Sequence, residues 1–272
     1  MSQKLACAAP DPGSPALEFA SVRIDRGDQT ILDQVSFTVR RGDVVAVLGP
    51  SGAGKSTLMH AITGELCPVA GSIRIFGRAI DYSNHGLMSL RCGIGVLLQG
   101  NGLLSDLTVA ENIALPLRVH TTLDAALISR LVDLKLNAVG LRSARDLYPR
   151  ELSGGMARRV AFARALALDP PLMLYDEPLT GLDPIATGVI VELIGNLNRI
   201  MGMTSIVITH HVKESLSIAD QVLVVANGGI AFSGTPAALA GSTDPLLRQF
   251  LDGKADGPIA FDAGRRHAAE VA

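Results

Sequence analysis

The residues from Gly49 to Ser56 match the full spacing G-x-x-x-x-G-K-[ST]. Glycines in such a run let the backbone approach a phosphate closely and point successive N–H groups at it. The Lys55 ammonium can reach the β- and γ-phosphates of a nucleotide, and the Ser56 hydroxyl can bind Mg²⁺. We therefore predict a phosphate-binding loop made of Gly49, Pro50, Ser51, Gly52, Ala53, Gly54, Lys55, Ser56 and Thr57.

The segments on either side of this loop favour phosphate binding over a glycine-rich turn with a solvated lysine. An apolar run with three valines, residues 44–48, precedes it and predicts a buried parallel strand. After it, Leu58, Met59, Ala61 and Ile62 recur at helical spacing. The loop is thus a strand-to-helix turn, and the helix N-terminus adds a partial positive charge.

Two adjacent carboxylates, Asp176 and Glu177, follow a second apolar run, residues 172–175. In open α/β sheets, ligands bind at the carboxyl ends of the strands. We predict that Asp176 holds Mg²⁺ through a water, and that Glu177 is the general base that polarises the attacking water. Alone, the pair could simply cap the turn before Pro178. The phosphate-binding loop makes the catalytic interpretation the favoured one.

The segment Ser153-Gly154-Gly155 also calls for a chemical explanation. Ser153 is a good helix N-cap, yet two glycines in a first turn weaken a helix by roughly 1 kcal/mol each relative to alanine. A structural role does not explain them. Close approach of a phosphate to bare N–H groups at a helix N-terminus does.

Together these motifs resemble the ABC-type ATPases over about residues 17–240, with the segment from Leu152 to Met156 similar to the family signature Leu-Ser-Gly-Gly-Gln. The resemblance implies a homodimer with two ATP molecules at its interface. Ser153, Gly154 and Gly155 would then act on the nucleotide held by the other subunit. It also implies an α/β fold of the P-loop NTPase class: an ABC-type nucleotide-binding domain with an antiparallel β-subdomain and a helical subdomain.

The same resemblance implies roles for three further residues. Gln99 would contact Mg²⁺ and water and sense a transport subunit, Asp183 would lie in a loop that crosses the dimer interface, and His210 would contact the γ-phosphate. Without the other motifs, Gln99 and His210 would be ordinary strand-end side chains, and Asp183 before a proline an ordinary helix start.

Three positions depart from the family pattern. Met156 replaces the usual glutamine of the signature, and Arg26 stands where an aromatic residue normally stacks on adenine. A planar guanidinium can stack on a purine, so we expect Arg26 to contribute to nucleotide binding with uncertain base selectivity. His211 occupies a place where the family commonly has aspartate. A metal site formed by His210 and His211 is disfavoured, because adjacent side chains on a strand point to opposite faces.

A narrower resemblance covers nearly the whole chain. Residues 26–27, 151–159 and 250–258 are similar to the ATPase subunit of Mla-type phospholipid transporters. This implies a peripheral ATPase on the cytoplasmic face of the inner membrane that drives phospholipid movement between inner and outer membrane. The implied partners are a multispan permease, an MCE-domain subunit and a STAS-domain subunit.

Composition fits a globular protein that reaches a membrane through a partner. The chain has 272 residues, of which 48% are hydrophobic and 18% charged. A net charge of −2 gives no reason to expect a nucleic-acid partner. Cys7, Cys67 and Cys92 lack metal-ligand spacing and fit a reducing compartment. No apolar stretch approaches the roughly 20 residues of a membrane span.

We expect a flexible tail at 1–15, an ATPase domain at 16–247 with its helical subdomain at about 105–160, and a C-terminal extension at 248–272. In the extension, Phe250, Ile259 and Phe261 are apolar enough to dock on the other ATPase subunit or on the STAS partner.

Two other functions stay open. One is the ATPase of an ABC transporter for another small solute. The other is a soluble ABC-type ATPase, although the chain lacks the long coiled coil of repair types and the second P-loop of translation types. The motifs do not distinguish an iron–sulfur assembly ATPase from a transporter ATPase. Membrane association would distinguish them. A P-loop kinase would have no use for the glycine signature.

Overall fold

The computed structural model describes residues 13–254 and 256–258. Its strands are β1 (Leu17–Arg26), β2 (Gln29–Val39), β3 (Val44–Leu48), β4 (Ala70–Ile75), β5 (Arg78–Ala79), β6 (Ile94–Leu97), β7 (Leu172–Asp176), β8 (Thr204–Ile208), β9 (Gln221–Ala226) and β10 (Gly229–Gly234). Its helices are α1 (Lys55–Ile62), α2 (Asn84–Cys92), α3 (Val109–His120), α4 (Ala125–Ala138), α5 (Gly154–Ala165), α6 (Pro184–Met201), α7 (Val212–Leu216), α8 (Pro236–Ala240) and α9 (Pro245–Asp252).

The strands form two sheets. The larger one has the order β10-β9-β3-β8-β7-β6, with parallel pairing throughout except for β10, which pairs antiparallel with β9. The smaller sheet, in the order β2-β1-β4-β5, is antiparallel. Helix α1 and the inner faces of both sheets share one apolar core that includes Phe19, Leu58 and Leu174. The predicted α/β fold with an antiparallel β-subdomain is confirmed.

The register of the larger sheet decides where the functional residues meet. Val47 in β3 lies opposite Ile208 in β8, and Asp176 in β7 lies opposite the same Ile208. The three strands therefore end together. The loops that follow them begin at Gly49, Glu177 and Thr209, at one edge of the sheet.

The helices between β6 and β7 form a second apolar core. Helices α3, α4 and α5 bury Ile113, Leu136 and Phe162 completely, and this cluster continues to Tyr175 of the larger sheet. Short 3₁₀ turns at Arg142–Ala144 and Pro149–Glu151 lead into α5. This cluster packs α5, whose first turn carries the signature, against the larger sheet.

Most predicted elements are present. The sequence pattern predicts a helix over 184–201 and a hairpin that turns at Asn227 and Gly228. The helix is observed with the same bounds, and the two turn residues have φ angles of 50° and 77°. The pattern also predicts a helix over 109–115, and the observed helix starts at Val109 but extends to His120, through Pro116. Helices α2, α8 and α9 were not predicted.

The expected boundary at 247/248 falls inside α9. Leu247 is 3% exposed, and Phe250 packs against the same apolar cluster, so this helix is part of the folded domain. Ile259 and Phe261 lie outside the described residues, as does most of the expected tail at 1–15. Within the described part of the chain, we find no helix that is both long and apolar enough to span a membrane.

Candidate functional site

Two glycines of the phosphate-binding loop sit where no side chain fits. Gly49 has a φ of 150°, and a Cβ atom there would lie 2.2 Å from the Val225 carbonyl oxygen of β9. Gly54 has a φ of 103°, and a Cβ atom would lie 2.7 Å from Cδ2 of Leu32. The loop is thus packed tightly between β9 and β2. Its backbone path from β3 into α1 requires glycine at both positions.

Lys55 opens α1 and folds back over the loop. Its Nζ donates hydrogen bonds to the carbonyl oxygens of Gly49, at 2.7 Å, and Pro50, at 2.9 Å. Burial lowers the pKa of the Lys55 ammonium, while Glu177 and Asp176 act in the opposite direction. The cation therefore faces two carboxylates across the site, an arrangement suited to holding a polyanion and its metal ion between them.

The predicted residues converge on one cavity of about 490 Å³, a size typical of small-molecule sites. Its walls combine the phosphate-binding loop with side chains from the ends of β1, β6, β7 and β8. The predicted residues that line it are Arg26, Ser51, Gly52, Gly54, Lys55, Ser56, Thr57, Gln99, Asp176, Glu177 and His210.

Glu177 is the most constrained side chain of the cavity. Its Oε2 atom accepts hydrogen bonds from the hydroxyls of Thr209, at 3.1 Å, and Thr180, at 3.3 Å. The same atom lies 2.9 Å from Nδ1 of His210. Its backbone has a φ of 47°, rare for a residue other than glycine. A carboxylate held from three sides on a strained backbone fits a catalytic residue better than a turn cap.

Asp176, one residue earlier, has an environment that disfavours its charge. Burial raises the pKa of the Asp176 carboxyl and Glu177 raises it further, while His60 and Lys55 lower it. A divalent cation beside it would reverse this penalty. Mg²⁺ prefers oxygen ligands and is commonly bound by one or two carboxylates together with substrate phosphates. The hydroxyl of Ser56, the amide of Gln99 and the carboxylate of Asp176 fit that donor set.

The signature and Asp183 lie outside this cavity. Ser153 caps α5, with its Oγ atom accepting from Met156 N at 3.3 Å. A Cβ atom at Gly154 would meet nothing within 4 Å. Asp183 caps α6 by accepting from the backbone N–H groups of Ile185 and Ala186. None of these residues is among those that line the cavity of the phosphate-binding loop.

His210 and His211 do not point to opposite faces of a strand, so that expectation from the sequence is wrong. Strand β8 ends at Ile208, so the two histidines lie in the following loop rather than on a strand. Their rings are 4.5 Å apart between centroids and tilted by 34°. In the described part of the chain, however, no three His, Cys, Asp or Glu side chains are grouped to hold a metal ion.

Sequence reasoning missed several residues that hold the site together. Thr180 and Thr209 donate to Glu177, and Arg158 and Arg164 of α5 donate to backbone carbonyls around Gln99. Nothing in the sequence around the two threonines indicated their role. The position of Arg158 did give an indication, because it lies on the helix face that also carries Ala161 and Phe162, both buried. An arginine on a core-facing position indicates a buried polar partner.

Comparison with known proteins identifies the family. The model of the ABC transporter family matches residues 32–180, from β2 through the phosphate-binding loop and the signature to the segment after Glu177. The chain belongs to the ABC transporter family. It is accordingly an ATP-binding subunit with ATPase activity, built on the P-loop nucleotide-binding fold.

Curated relatives match almost end to end. The chain is 47% identical over 255 residues to the "Intermembrane phospholipid transport system ATP-binding protein MlaF" of Escherichia coli K12, covering 93% of this chain and 95% of that protein. The protein of the same name from Haemophilus influenzae is 46% identical over 246 residues. The "Probable ribonucleotide transport ATP-binding protein mkl" of Mycobacterium tuberculosis H37Rv is 35% identical, over 94% of this chain and 72% of that protein.

Solved structures support the fold. The chain aligns with cbiO1 from Clostridium perfringens, part of the ABC transporter complex cbiONQ, with a TM-score of 0.80 at 29% identity, covering 94% of this chain and 99% of that one. It also aligns with the ATP-binding cassette MJ0796, in a dimeric post-hydrolysis state bound to ADP and Pi. There the TM-score is 0.73 at 28% identity, over 81% of this chain and 98% of that one.

Proposed function

We propose that the chain is the ATPase of a transporter that moves phospholipid between the inner and outer membranes. The observation that carries this proposal is the 47% identity to MlaF over 93% of this chain and 95% of that protein. The match extends well beyond the residues of the nucleotide site, because it spans 255 residues.

The arrangement of the cavity supports specific roles in ATP hydrolysis for several residues that line it. The N–H groups of the loop and the ammonium of Lys55 bind the β- and γ-phosphates. Ser56, Gln99 and Asp176 would hold Mg²⁺, which when bound neutralises charge on the phosphates. Glu177 polarises the attacking water, and His210 lies beside the γ-phosphate and orients that carboxylate. Arg26, at the end of β1, provides the planar group on which the base stacks.

The exposed signature supports a homodimer in which each site is completed in trans. Ser153 and Gly154 are exposed at the start of α5, and their N–H groups and the helix dipole favour a phosphate. Gly155 and Asp183 would complete the contact across the interface. MJ0796, a bacterial ABC transporter cassette that shares the fold, has a dimeric structure. Binding of two ATP molecules would close the homodimer, and hydrolysis would let it reopen.

We further propose a peripheral position on the cytoplasmic face of the inner membrane. The partner that crosses the membrane would be a multispan permease, joined by MCE-domain and STAS-domain subunits. The domain would run from residue 16 to the end of α9, with its helical subdomain at about 105–160, and the chain after Asp252 would serve as an extension that grips the other subunit or the STAS partner.

A second candidate is an ATPase for another solute, favoured by the 35% identity to mkl, which is named for ribonucleotide transport. The chemistry in the cavity would be the same, and only the membrane partner and the cargo would differ. Because the identity to mkl is lower and covers less of that protein, we place phospholipid first.

The test is a mild-detergent purification of the tagged full chain from membranes, followed by identification of bound proteins and lipid. We expect a multispan permease, an MCE-domain protein and phospholipid. A periplasmic solute-binding protein in place of the MCE-domain protein would contradict the phospholipid assignment and favour a solute importer. Recovery of a partner-free soluble dimer would contradict transport altogether.

A further inference from the structure

Arg158 is a buried arginine whose hydrogen bonds all go to backbone carbonyl groups near the site. It lies one turn into α5 and is 4% exposed. One guanidinium nitrogen, Nη1, donates to the carbonyl oxygens of Leu98, at 3.0 Å, and Gln99, at 2.8 Å. The other, Nη2, donates to the carbonyl oxygen of Thr180 at 3.3 Å.

Stability alone does not explain an arginine at this position. Among the ion pairs of the described residues none involves Arg158, and its Nε atom has no hydrogen-bond partner there. Burial lowers the pKa of its guanidinium, which means that the charged form is disfavoured at this depth. A buried charge without a counter-charge is costly, and an apolar side chain would avoid that cost. What arginine adds is a planar fork that fixes the directions of several carbonyl groups together.

The carbonyl groups that Arg158 holds belong to the two loops that carry the chemistry. Gln99 lines the cavity at the end of β6. Thr180 follows Glu177 by three residues, and its hydroxyl donates to Oε2 of Glu177 at 3.3 Å. One side chain therefore connects the backbone at Gln99 with the carboxylate of Glu177, through Thr180.

A second arginine of α5 reinforces the first loop. Arg164 donates to the carbonyl oxygen of Gly102, at 2.6 Å, and to that of Asn101, at 3.2 Å. Helix α5 thus holds four backbone carbonyls between residues 98 and 102. Because the signature forms the first turn of the same helix, a displacement of α5 moves these carbonyl groups with it.

We infer that Arg158 is a positioning residue that ties α5 to the hydrolytic groups of its own subunit, through Gln99 on one side and through Thr180 to Glu177 on the other. Engagement of the signature by the nucleotide of the partner subunit then adjusts the hydrolytic groups of the first subunit. The inference rests on the proposed role of Glu177 as the group that polarises water.

The test uses steady-state ATPase kinetics of the full chain in its membrane complex, with Arg158→Met, Thr180→Val and Thr180→Ser. For Arg158→Met we expect kcat to fall about tenfold with KM for ATP changed by less than about twofold, because positioning acts on the transition state. Thr180→Val keeps the carbonyl that Arg158 holds but loses the hydroxyl on Glu177, and kcat falls about three- to tenfold. Thr180→Ser restores that hydroxyl and with it most of the rate.

The matched control is Arg159→Met, since Arg159 is the next residue of α5 and donates to the Val139 carbonyl, away from the cavity. Its kcat should stay near that of the parent. The double variant Arg158→Met/Thr180→Val should be about as slow as the slower single variant, since both changes break the same connection.

Two results would overturn the inference: equal rates for Arg158→Met and Arg159→Met, or a Thr180→Ser variant as slow as Thr180→Val. The threonine pair decides the matter if Arg158→Met fails to fold. Glu177→Gln, measured alongside, distinguishes failure of the proposed role of Glu177 from failure of the connection through Arg158 and Thr180. If it is fully active, the proposed role of Glu177 fails, whereas an inactive Glu177→Gln with an unaffected Thr180→Val overturns the connection alone.

Discussion

The Nδ1 atom of His210 lies 2.9 Å from Oε2 of Glu177, with the histidine side chain 60% exposed and the glutamate side chain 16% exposed. The carboxylate is thus held from the protein side by the hydroxyls of Thr180 and Thr209 and from the cavity side by an imidazole. The two side chains come from the ends of different strands, and their contact is of the kind by which a neighbouring group can orient a general base.

Replacing His210 with alanine should reduce kcat for ATP by about 10- to 100-fold with little change in KM, because the histidine orients Glu177 at the reacting centre. The measurement is steady-state ATP hydrolysis. His211→Ala is the matched control, since the neighbouring ring does not line the cavity. Equal effects of the two replacements would show that His210 has no special relationship with Glu177.

Replacing Lys55 with alanine should weaken nucleotide binding, raising Kd by about 10- to 100-fold, because a charge-assisted contact to phosphate is lost. Fluorescence titration with a nucleotide analogue measures this directly. Lys213→Ala, at an exposed position on α7, serves as the control. Unchanged affinity in Lys55→Ala would contradict the loop geometry described above.

Gly154→Ala separates a structural from a trans-acting role of the signature. A Cβ atom at Gly154 meets nothing within 4 Å, and alanine is the better helix former by about 1 kcal/mol. The variant should therefore be at least as stable as the parent in thermal unfolding. It should nevertheless lose ATP-dependent dimerisation in light scattering, because the methyl group obstructs the partner's phosphate.

The control for this variant is Gly188→Ala, an exposed glycine in α6 where an added Cβ also meets nothing within 4 Å. It should gain similar stability and still dimerise. Normal ATP-dependent dimerisation of Gly154→Ala would contradict the prediction that glycine is needed at this position for close approach of a phosphate.

Asp176→Asn should raise the thermal stability of the nucleotide-free protein in EDTA at pH 7, by about 1–3 °C. The pKa of Asp176 is raised by burial and by Glu177, so the folded state binds its proton more tightly than the unfolded state does. Ionisation therefore lowers stability as pH rises through that raised pKa, and asparagine avoids the penalty.

The advantage of the variant should shrink on acidification and vanish below the ordinary aspartate pKa of 3.8, where the carboxyl is protonated in both states. This is checked by measuring the melting temperatures of the variant and the parent between about pH 3.5 and 7, which is roughly the range over which such a carboxyl titrates. If Asp176→Asn were less stable than the parent at pH 7, the environment of Asp176 would not be unfavourable for its ionised carboxylate, contrary to the prediction.

The sequence predicted the structure correctly where the residue types and the local backbone geometry depend on the same short segment. The loop from Gly49 to Thr57 combines a fixed spacing with a strand before it and a helix after it, and each of these signals is local. The same holds for the turn at Asn227 and Gly228, where two residues with positive φ angles favour a hairpin.

Other features depended on tertiary structure. Helix α9 is an exception, because Asp244 and Pro245 at its start and Gly253 at its end are local signals from which the sequence could have predicted it. The bonds from Arg158 to Gln99 and Thr180 join residues 59 and 22 positions apart in the chain. The ring contact between His210 and His211 arises because β8 ends at Ile208, so that both histidines lie in the loop that follows the strand.

The most direct test of the account is to compare Glu177→Gln with the parent in single-turnover ATP hydrolysis and in ATP-dependent dimerisation, with Glu192→Gln on the exposed face of α6 as the control. We expect Glu177→Gln to bind ATP within about twofold of the parent, to hydrolyse it at least about 100-fold more slowly, and to accumulate as a closed dimer. Hydrolysis by Glu177→Gln at the rate of the Glu192→Gln control would contradict the assignment of Glu177 as the residue that polarises the attacking water.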